Sequence, residues 1–321
     1  MSESLDRRGF LRKTALSASA ATTAALTWRF EERALRAQAA QPKPASPSPA
    51  SPAPPFPQGR LGRLKVSRLI CGGNLLSGFA HSRDLIYVSQ LLKNYFTDEK
   101  ILETLARCEA HGLNAMVLRV DDHTARVLEK YRARGGGLQW IAQVKLPARD
   151  RWAEIQRAVD GGAVACFVHG GVGDRCVAEG RVEELGRAIE HIQRQGLVAG
   201  IAGHDLKVPM TCEEAGLEPD FYLKTFNSKR YWSAGPKPRH DSVWAETPEQ
   251  TRAFMAEVDR PWIAYKVLGA GAIPPHQGFP YAFAGGADFI CVGMFDWQIA
   301  DDVTYARQAI SRAQNRPRPW A

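Results

Sequence analysis

Six of the eight histidines fall where short apolar runs end, or in the loops that follow those runs. His81, His123, His169 and His204 follow or close the first, second, fourth and fifth runs. An imidazole can transfer a proton near neutral pH or ligate a metal ion. One such histidine alone is more often a structural hydrogen-bonding residue. The grouping of four favours a functional site.

Two arrangements of these side chains would give different chemistry. Lys145 closes the third run, and Asp122 follows the second. We predict that His169, Lys145, Asp122 and His204 are catalytic residues that donate and accept protons. The alternative is a divalent metal held by His81, Asp122, His169 and His204, because imidazole and carboxylate groups are common metal ligands.

Lysines and glycines close several of the other runs. Lys145, Lys224 and Lys266 could cover the end of a sheet, bind phosphate or carboxylate, or supply a Schiff-base amine. Segments 266–273 (KVLGAGAI) and 291–295 (CVGMF) end the last two runs. Their backbone N–H groups could hold phosphate, or the glycines could only permit tight turns. The predicted cofactor-binding residues are Lys266, Gly269, Gly271, Gly293 and Met294.

Two loops are longer than the usual connection between a strand and a helix. Residues 81–96 follow the first run and residues 227–246 the sixth, and both carry aromatic and cationic side chains. Such side chains suit a sugar-like compound, although the second loop could instead fold on its own tryptophans. We predict that the two loops meet over the site as a lid. The predicted substrate-binding residues are His81, Arg83, Arg119, Lys224, Asn227 and Trp232.

The apolar runs alternate with amphipathic stretches along most of the chain. One helical stretch covers 97–112, with Thr97 as N-cap and Gly112 as stop, and another covers 181–196. Near-continuous apolar strands separated by helices indicate parallel pairing with both faces covered. Eight such units predict a (β/α)8 TIM barrel, with an open doubly wound sheet as the alternative. The predicted strands are 66–73, 114–120, 139–146, 163–170, 197–204, 220–226, 262–269 and 288–294.

The first residues resemble the twin-arginine signal, which exports folded proteins. Arg7 and Arg8 precede Gly-Phe-Leu and a segment of small residues. We therefore expect a signal peptide over 1–39, a Pro/Ala/Ser-rich linker over 40–58 and the barrel over 59–321. The expected partner is the twin-arginine translocase, and the expected location is the periplasm or cell envelope. No transmembrane span is expected in the mature chain unless the signal is retained as an anchor.

The composition and charge of the chain limit the classes of partner that we expect. The formal net charge is +8, but no basic cluster is interleaved with aromatic residues after the signal, so we expect no nucleic acid partner. A small-molecule substrate is expected instead. The six cysteines form no C-x-x-C pair. Cys71, Cys166 and Cys291 lie within apolar runs, which predicts buried packing rather than a disulfide framework.

Several segments together resemble the aldo/keto reductase superfamily. They are 61–73 (LGRLKVSRLICGG), 98–114, 167–205 with FVHGGVGDR at its start, and 259–294 with DRPWIAYKVLGAGAI and GADFICVGM. The resemblance covers the barrel from about Gly62 to Asp302. It implies a barrel that binds NADP(H) across the loops of strands seven and eight and reduces carbonyls. In that family a tyrosine acid works with a lysine and a histidine, and an aspartate holds the lysine.

Only some of the family's catalytic residues have counterparts in this sequence. His169 matches the catalytic histidine at the end of the fourth strand. Val117 stands where the family has its aspartate, and no tyrosine follows in the next loop. Lys145 falls one residue later than the family's lysine, and a one-residue shift turns a strand side chain to the other face unless a bulge restores it. The resemblance thus implies a degenerate catalytic tetrad.

Three functions remain open at this point. The first is an exported oxidoreductase of aldo/keto reductase type, acting on a small polar carbonyl or sugar-like compound. Outside the cytoplasm NADPH is not regenerated, so the cofactor would have to be tightly bound. The second is a non-redox lyase, isomerase or hydrolase, with a divalent metal or acid–base groups. The third is a non-catalytic ligand-binding barrel.

Overall fold

The computed structural model describes residues 55–79, 87–228, 245 and 247–321. The predicted signal, most of the predicted linker, the first part of one predicted lid loop (81–86) and most of the other (229–244 and 246) lie outside these residues. Ten strands and ten α-helices are described. The strands are β1 (Gln58–Leu61), β2 (Leu64–Ser67), β3 (Leu69–Gly72), β4 (Ala115–Arg119), β5 (Gln139–Val144), β6 (Ala165–Val168), β7 (Val198–Gly203), β8 (Phe221–Thr225), β9 (Trp262–Tyr265) and β10 (Phe289–Val292).

The helices follow the strands in alternation. They are α1 (Val88–Tyr95), α2 (Asp98–Ala110), α3 (Asp122–Ala133), α4 (Ala153–Asp160), α5 (Gly170–Ala178), α6 (Val182–Arg194), α7 (Lys207–Glu214), α8 (Pro248–Glu257), α9 (Pro275–Ala284) and α10 (Ile299–Arg312). A short 3₁₀ turn, Gly269–Gly271, follows β9. The Thr97 hydroxyl accepts from the Lys100 N–H and caps α2, and Gly112 takes a positive φ of 84° just beyond its end. The predicted helix signals here are confirmed.

Strands β3 to β10 close into a barrel, with every neighbouring pair parallel. β10 closes the ring by pairing with both β9 and β3. The predicted (β/α)8 TIM barrel is confirmed. Because all eight strands run in the same direction, their carboxyl ends share one rim, which we call the mouth.

The prediction of a single first strand over 66–73 is wrong, because the chain forms two strands there. β2 pairs antiparallel with β1 as a hairpin, and only β3 joins the barrel. The break falls at Arg68, whose N–H bonds to the Pro57 carbonyl at 2.9 Å and whose guanidinium lies 4.2 Å from the Trp320 ring. The fold also begins before residue 59, since Phe56 is 1% exposed.

The core has two parts, one inside the barrel and one between the strands and the helices. Phe167, Phe221 and Phe289 fill the interior, whereas Trp140 and Trp262 face the helices. Strand side chains alternate between these two environments, which explains why the strands are apolar on both faces. Of the six cysteines, five are buried and Cys291 is half-buried, and all are free. Among the described residues, no helix is long and apolar enough to cross a bilayer.

Candidate active site at the barrel mouth

The mouth is marked by strand residues that point inward but are only partly covered. Arg119, Gln143, Tyr265 and Cys291 continue the inward-facing rows of β4, β5, β9 and β10, and each is half-buried where the residues below are buried. Tyr265 and Cys291 are directly paired across β9 and β10. The next residues along the strands bring two histidines to the same rim.

His204 follows β7 and is bound to a carboxylate from the preceding unit. Its Nδ1 lies 2.6 Å from Asp174 Oδ2, while Asp174 Oδ1 accepts from the N–H groups of His204 (2.8 Å) and Asp205 (3.0 Å). Burial opposes ionisation of Asp174, but these hydrogen bonds hold its pKa below the usual value. Burial also lowers the pKa of His204 despite the carboxylate. We infer a neutral imidazole that donates Nδ1–H to ionised Asp174 and leaves Nε2 as an acceptor.

Two glycines allow this contact between α5 and β7. A Cβ on Gly173 would collide with the Ala202 carbonyl, so only glycine lets the helix lie this close to the strand. A Cβ on Gly170 would lie 2.5 Å from the Tyr265 hydroxyl and 3.0 Å from His204 Cε1. The run of glycines after His169 therefore positions Asp174 beside His204.

His169 follows β6 and is the N-cap of α5. Its Nδ1 accepts from the Gly171 N–H at 3.1 Å. Burial lowers the pKa of His169 to about 4, with contributions from the charge that His204 carries when protonated and from the ammonium groups of Lys145 and Lys266. The neutral ring must then carry its proton on Nε2. The two mouth histidines thus have opposite tautomers, since His169 offers an N–H donor and His204 a lone pair.

Tyr265 lies beside this pair and was not predicted. Its ring centroid is 5.5 Å from that of His204, and its hydroxyl is buried without an aligned hydrogen bond. Burial raises the pKa of Tyr265. The residue as a whole is half-buried, although its hydroxyl is buried. The only sequence signal was its place as the last residue of an apolar run.

The three predicted lysines occupy different environments. Lys145 follows β5 and is exposed, and its backbone N–H bonds to Glu154 Oε2 at 2.6 Å. Lys224 is 2% exposed on the outward row of β8, with its Nζ bonded to the carbonyls of His204 (2.5 Å) and Thr225 (3.0 Å). It therefore joins β7 to β8. Lys266 follows β9 at the mouth.

Among the other predicted residues, those that the structure describes have partners of their own. The Asp122 carboxylate is 97% exposed and pairs with Arg157 at 2.5 Å, so it is not grouped with His169 and His204. Arg119 pairs with Asp121 at 2.9 Å and lies 4.4 Å from the Phe79 ring. Asn227 is buried and bonds to the Lys266 carbonyl. His81, Arg83 and Trp232 lie outside the described residues.

The alternative metal site is not assembled in the part of the chain that the structure describes. No group of three or more histidine, cysteine, aspartate or glutamate side chains there is arranged to hold a metal ion. Of the four ligands proposed from sequence, His81 is outside the described residues and Asp122 faces solvent. His169 and His204 remain together at the mouth.

The predicted phosphate cradle has a different structure from the one expected. The N–H groups of Gly269, Gly271, Ala272 and Ile273 all bond to carbonyls within the loop. Gly293 is covered by Leu75, and Met294 is fully buried in the core. Gly269 and Gly271 therefore belong to a hydrogen-bonded turn and do not form an exposed row of N–H donors.

Comparisons with known proteins agree on the barrel. No protein-family model matches the sequence, and no curated protein matches it significantly. A structure described as "Putative aldo-keto reductase from Pseudomona aeruginosa" is 18% identical, covers 79% of this chain and 94% of its own, and has a TM-score of 0.55. DAHP synthase from Thermotoga maritima is 10% identical over 80% of this chain and 74% of its own, with a TM-score of 0.50. At these identities the likeness shows the fold alone.

Proposed function

We propose that the protein is an oxidoreductase of aldo/keto reductase type that interconverts a small polar carbonyl compound and its alcohol. The observation that carries this proposal is the pair of neutral histidines with opposite tautomers at the mouth. His169 stands at the strand end where the family places its catalytic histidine. The barrel likeness to the structure described as "Putative aldo-keto reductase" supports the fold on which this proposal depends.

The two imidazoles divide the proton chemistry between them. His169 Nε2–H donates a hydrogen bond to the substrate oxygen. His204 Nε2 accepts the hydroxyl proton when an alcohol is oxidised, and the ionised Asp174 stabilises the imidazolium that forms. In the reverse direction the protonated His204 returns that proton to the oxygen. This arrangement replaces the tyrosine that the family would use.

A nicotinamide cofactor fits the mouth better than it fits the glycine loop. Tyr265, half-buried and next to His204, is the aromatic residue on which a nicotinamide could stack. The N–H groups of Gly269, Gly271, Ala272 and Ile273 bond within the loop and would not hold its phosphates. When bound, NADP(H) would supply the hydride that reduces the carbonyl and, in its oxidised form, would accept the hydride from the alcohol. We propose that it is tightly held, because the Arg7-Arg8 motif supports twin-arginine export to the periplasm or cell envelope.

A non-redox function is the second candidate, and the internally bonded loop favours it. One neutral histidine could polarise a carbonyl while the other removes a proton from the neighbouring carbon, as an isomerase requires. The two candidates use the same residues and differ in the need for a cofactor.

A binding assay with the purified full-length protein, monitored by NADPH fluorescence, distinguishes the reductase from the isomerase. The reductase predicts saturable binding that Tyr265→Ala weakens by about tenfold, with His276→Gln as an exposed control. It also predicts carbonyl-dependent oxidation of the bound NADPH. Absence of binding, together with exchange of substrate protons with D2O that needs His204, would overturn the reductase in favour of the isomerase.

A further inference from the structure

Arg119 is a charged residue on the inward face of the barrel. It ends β4, and Ala115 and Val117 of the same inward row lie in the barrel interior. The Arg119 side chain is 27% exposed. An inward-facing residue at the carboxyl end of a barrel strand lies at the mouth, where bound molecules are contacted. The orientation of its guanidinium therefore limits what the mouth can bind.

Two contacts hold the Arg119 guanidinium in place. Its Nε lies 2.9 Å from Asp121 Oδ2, and its Cζ lies 4.4 Å from the centre of the Phe79 ring. Asp121 is itself held, because its Oδ1 accepts from the Thr124 N–H at 2.8 Å as the N-cap of α3. Within the part of the chain that the structure describes, Arg119 has no hydrogen-bond or ionic partner besides Asp121. Its Nη1 and Nη2 groups are therefore the N–H donors that remain for a ligand.

Gln143 lies beside Arg119 on the next strand. The two residues are directly paired across β4 and β5, and both are inward-facing and half-buried. Adjacent strands are about 4.8 Å apart, so paired side chains on one face are neighbours. Among the described residues the Gln143 amide has no hydrogen-bond partner. The mouth thus carries a guanidinium and an amide side by side, both with N–H donors to offer.

The backbone connects this pair to one of the two histidines. The His169 N–H bonds to the carbonyl of Val144 at 2.8 Å, and Val144 directly follows Gln143 in β5. Gln143 is also paired with Phe167, two residues before His169. Arg119, Gln143 and His169 therefore come from three neighbouring strands, and each lies about one strand spacing from the next around the rim.

We propose that Arg119 and Gln143 bind a carboxylate of the substrate, which is then an oxo acid or the corresponding hydroxy acid. This inference rests on the proposed function and names its substrate class. The two Nη groups match the two oxygens of a carboxylate, and stacking on Phe79 leaves the edge of the guanidinium plane open to them. Because Asp121 already offsets one positive charge, a singly charged carboxylate suits this pair better than a doubly charged phosphate.

Ligand-observed NMR titration of the full-length protein tests the subsite. The ligands are pyruvate and 4-oxopentanoate, which differ in the distance from carbonyl to carboxylate, and the neutral primary amide of each acid. The wild type should bind at least one acid about tenfold more tightly than its amide, as charged hydrogen bonds predict. Arg119→Met should weaken binding of that acid about tenfold and leave its amide within about twofold. Gln143→Glu adds a negative charge at nearly constant size and should weaken the acid selectively.

Two further variants serve as controls. Arg126→Met removes an exposed arginine whose Nε lies 3.0 Å from Asp98 Oδ2, a contact of the same kind as that of Arg119 with Asp121. It should leave acid binding within about twofold of the wild type. Arg119→Lys keeps the charge but loses the paired Nη donors, so its affinity should be intermediate. Thermal unfolding checks that each variant folds, and Gln143→Glu with Arg119→Lys carries the test if Arg119→Met does not.

The outcomes separate the carboxylate subsite from the catalytic proposal. Equal affinity for acids and amides in the wild type, or acid binding unchanged in the Arg119 and Gln143 variants, would overturn the subsite. Inorganic phosphate that displaces the acids and binds more tightly, with the same dependence on Arg119, would overturn the carboxylate assignment in favour of a phosphate group. If the acids bind as predicted but support neither NADPH oxidation nor proton exchange, the subsite stands and the proposed function fails. Carbonyl-dependent NADPH oxidation without preference for acids has the opposite meaning.

Discussion

Asp174 Oδ2 lies 2.6 Å from His204 Nδ1, although the two residues come from successive barrel units. This contact fixes the His204 tautomer and leaves Nε2 available at the mouth. A carboxylate–imidazole pair of this kind can act as a general base without burying an unpaired charge.

Asp174→Asn should reduce turnover by roughly 10²–10⁴-fold, because the amide can present N–H and favour the wrong His204 tautomer. Steady-state kinetics with circular dichroism as a folding check would measure this. Asp122→Asn is the matched control. It should stay within about twofold of the wild type, since an exposed carboxylate paired with Arg157 contributes little. A large loss from Asp122→Asn, with activity kept in Asp174→Asn, would reverse the assignment.

Gly170→Ala should impair both stability and activity. The added Cβ would lie 2.5 Å from the Tyr265 hydroxyl and 3.0 Å from His204 Cε1, so the rings must move. We expect a loss of about 1–3 kcal/mol in the free energy of unfolding, as for other overpacked sites. Gly186→Ala in α6 meets only the flexible end of Leu217 and should be neutral or stabilising by up to about 1 kcal/mol. Denaturant unfolding of both variants makes the comparison.

Stability should fall as pH drops from about 6.5 towards 4, in part because of His169. Its pKa is lowered to about 4 in the folded protein, so the unfolded chain binds the proton more readily over this range. The contribution is present above pH 6.5 and is lost on acidification, by up to about 3 kcal/mol. His169→Gln should flatten the stability–pH profile in this window. An unchanged slope in that variant would show that His169 is not the group responsible.

Phe56→Ala should destabilise the barrel by about 3–5 kcal/mol, although residue 56 was predicted to be linker. Phe56 is 1% exposed, and the Arg307 guanidinium lies 4.9 Å from its ring. Arg60→Ala, an exposed change in β1, is the control and should alter stability by less than about 0.5 kcal/mol. Equal unfolding midpoints for the two variants would contradict a structural role for Phe56.

The barrel could be predicted because its strands are short, apolar on both faces and regularly separated by helices. Local patterns also gave the N-cap Thr97 and the stop at Gly112. The break at Arg68 could not be predicted, because residues 66–73 form one continuous β-prone run. It depends on a hydrogen bond to Pro57 across the β1–β2 hairpin and on contact with Trp320, which is distant in sequence.

The site was only partly predictable. His169 and His204 stood out because they follow apolar runs, and the closed barrel brings such positions together. Asp174 was missed because it lies within a helix, where an acid usually faces solvent. Its role depends on Gly173 allowing α5 to approach β7. Asp122 was assigned to the site from its place after a strand, but the first turn of α3 directs it to solvent.

The most direct test of the account is the ¹⁵N NMR spectrum of the imidazole nitrogens at pH 7, with His169→Gln and His204→Gln used for assignment. The account predicts two neutral rings with opposite tautomers, His204 protonated at Nδ1 and His169 at Nε2. Asp174→Asn should change the His204 signals and leave those of His169 nearly unchanged. If both rings carried their proton on the same nitrogen, or either were an imidazolium at pH 7, the proposed division of proton chemistry would be contradicted.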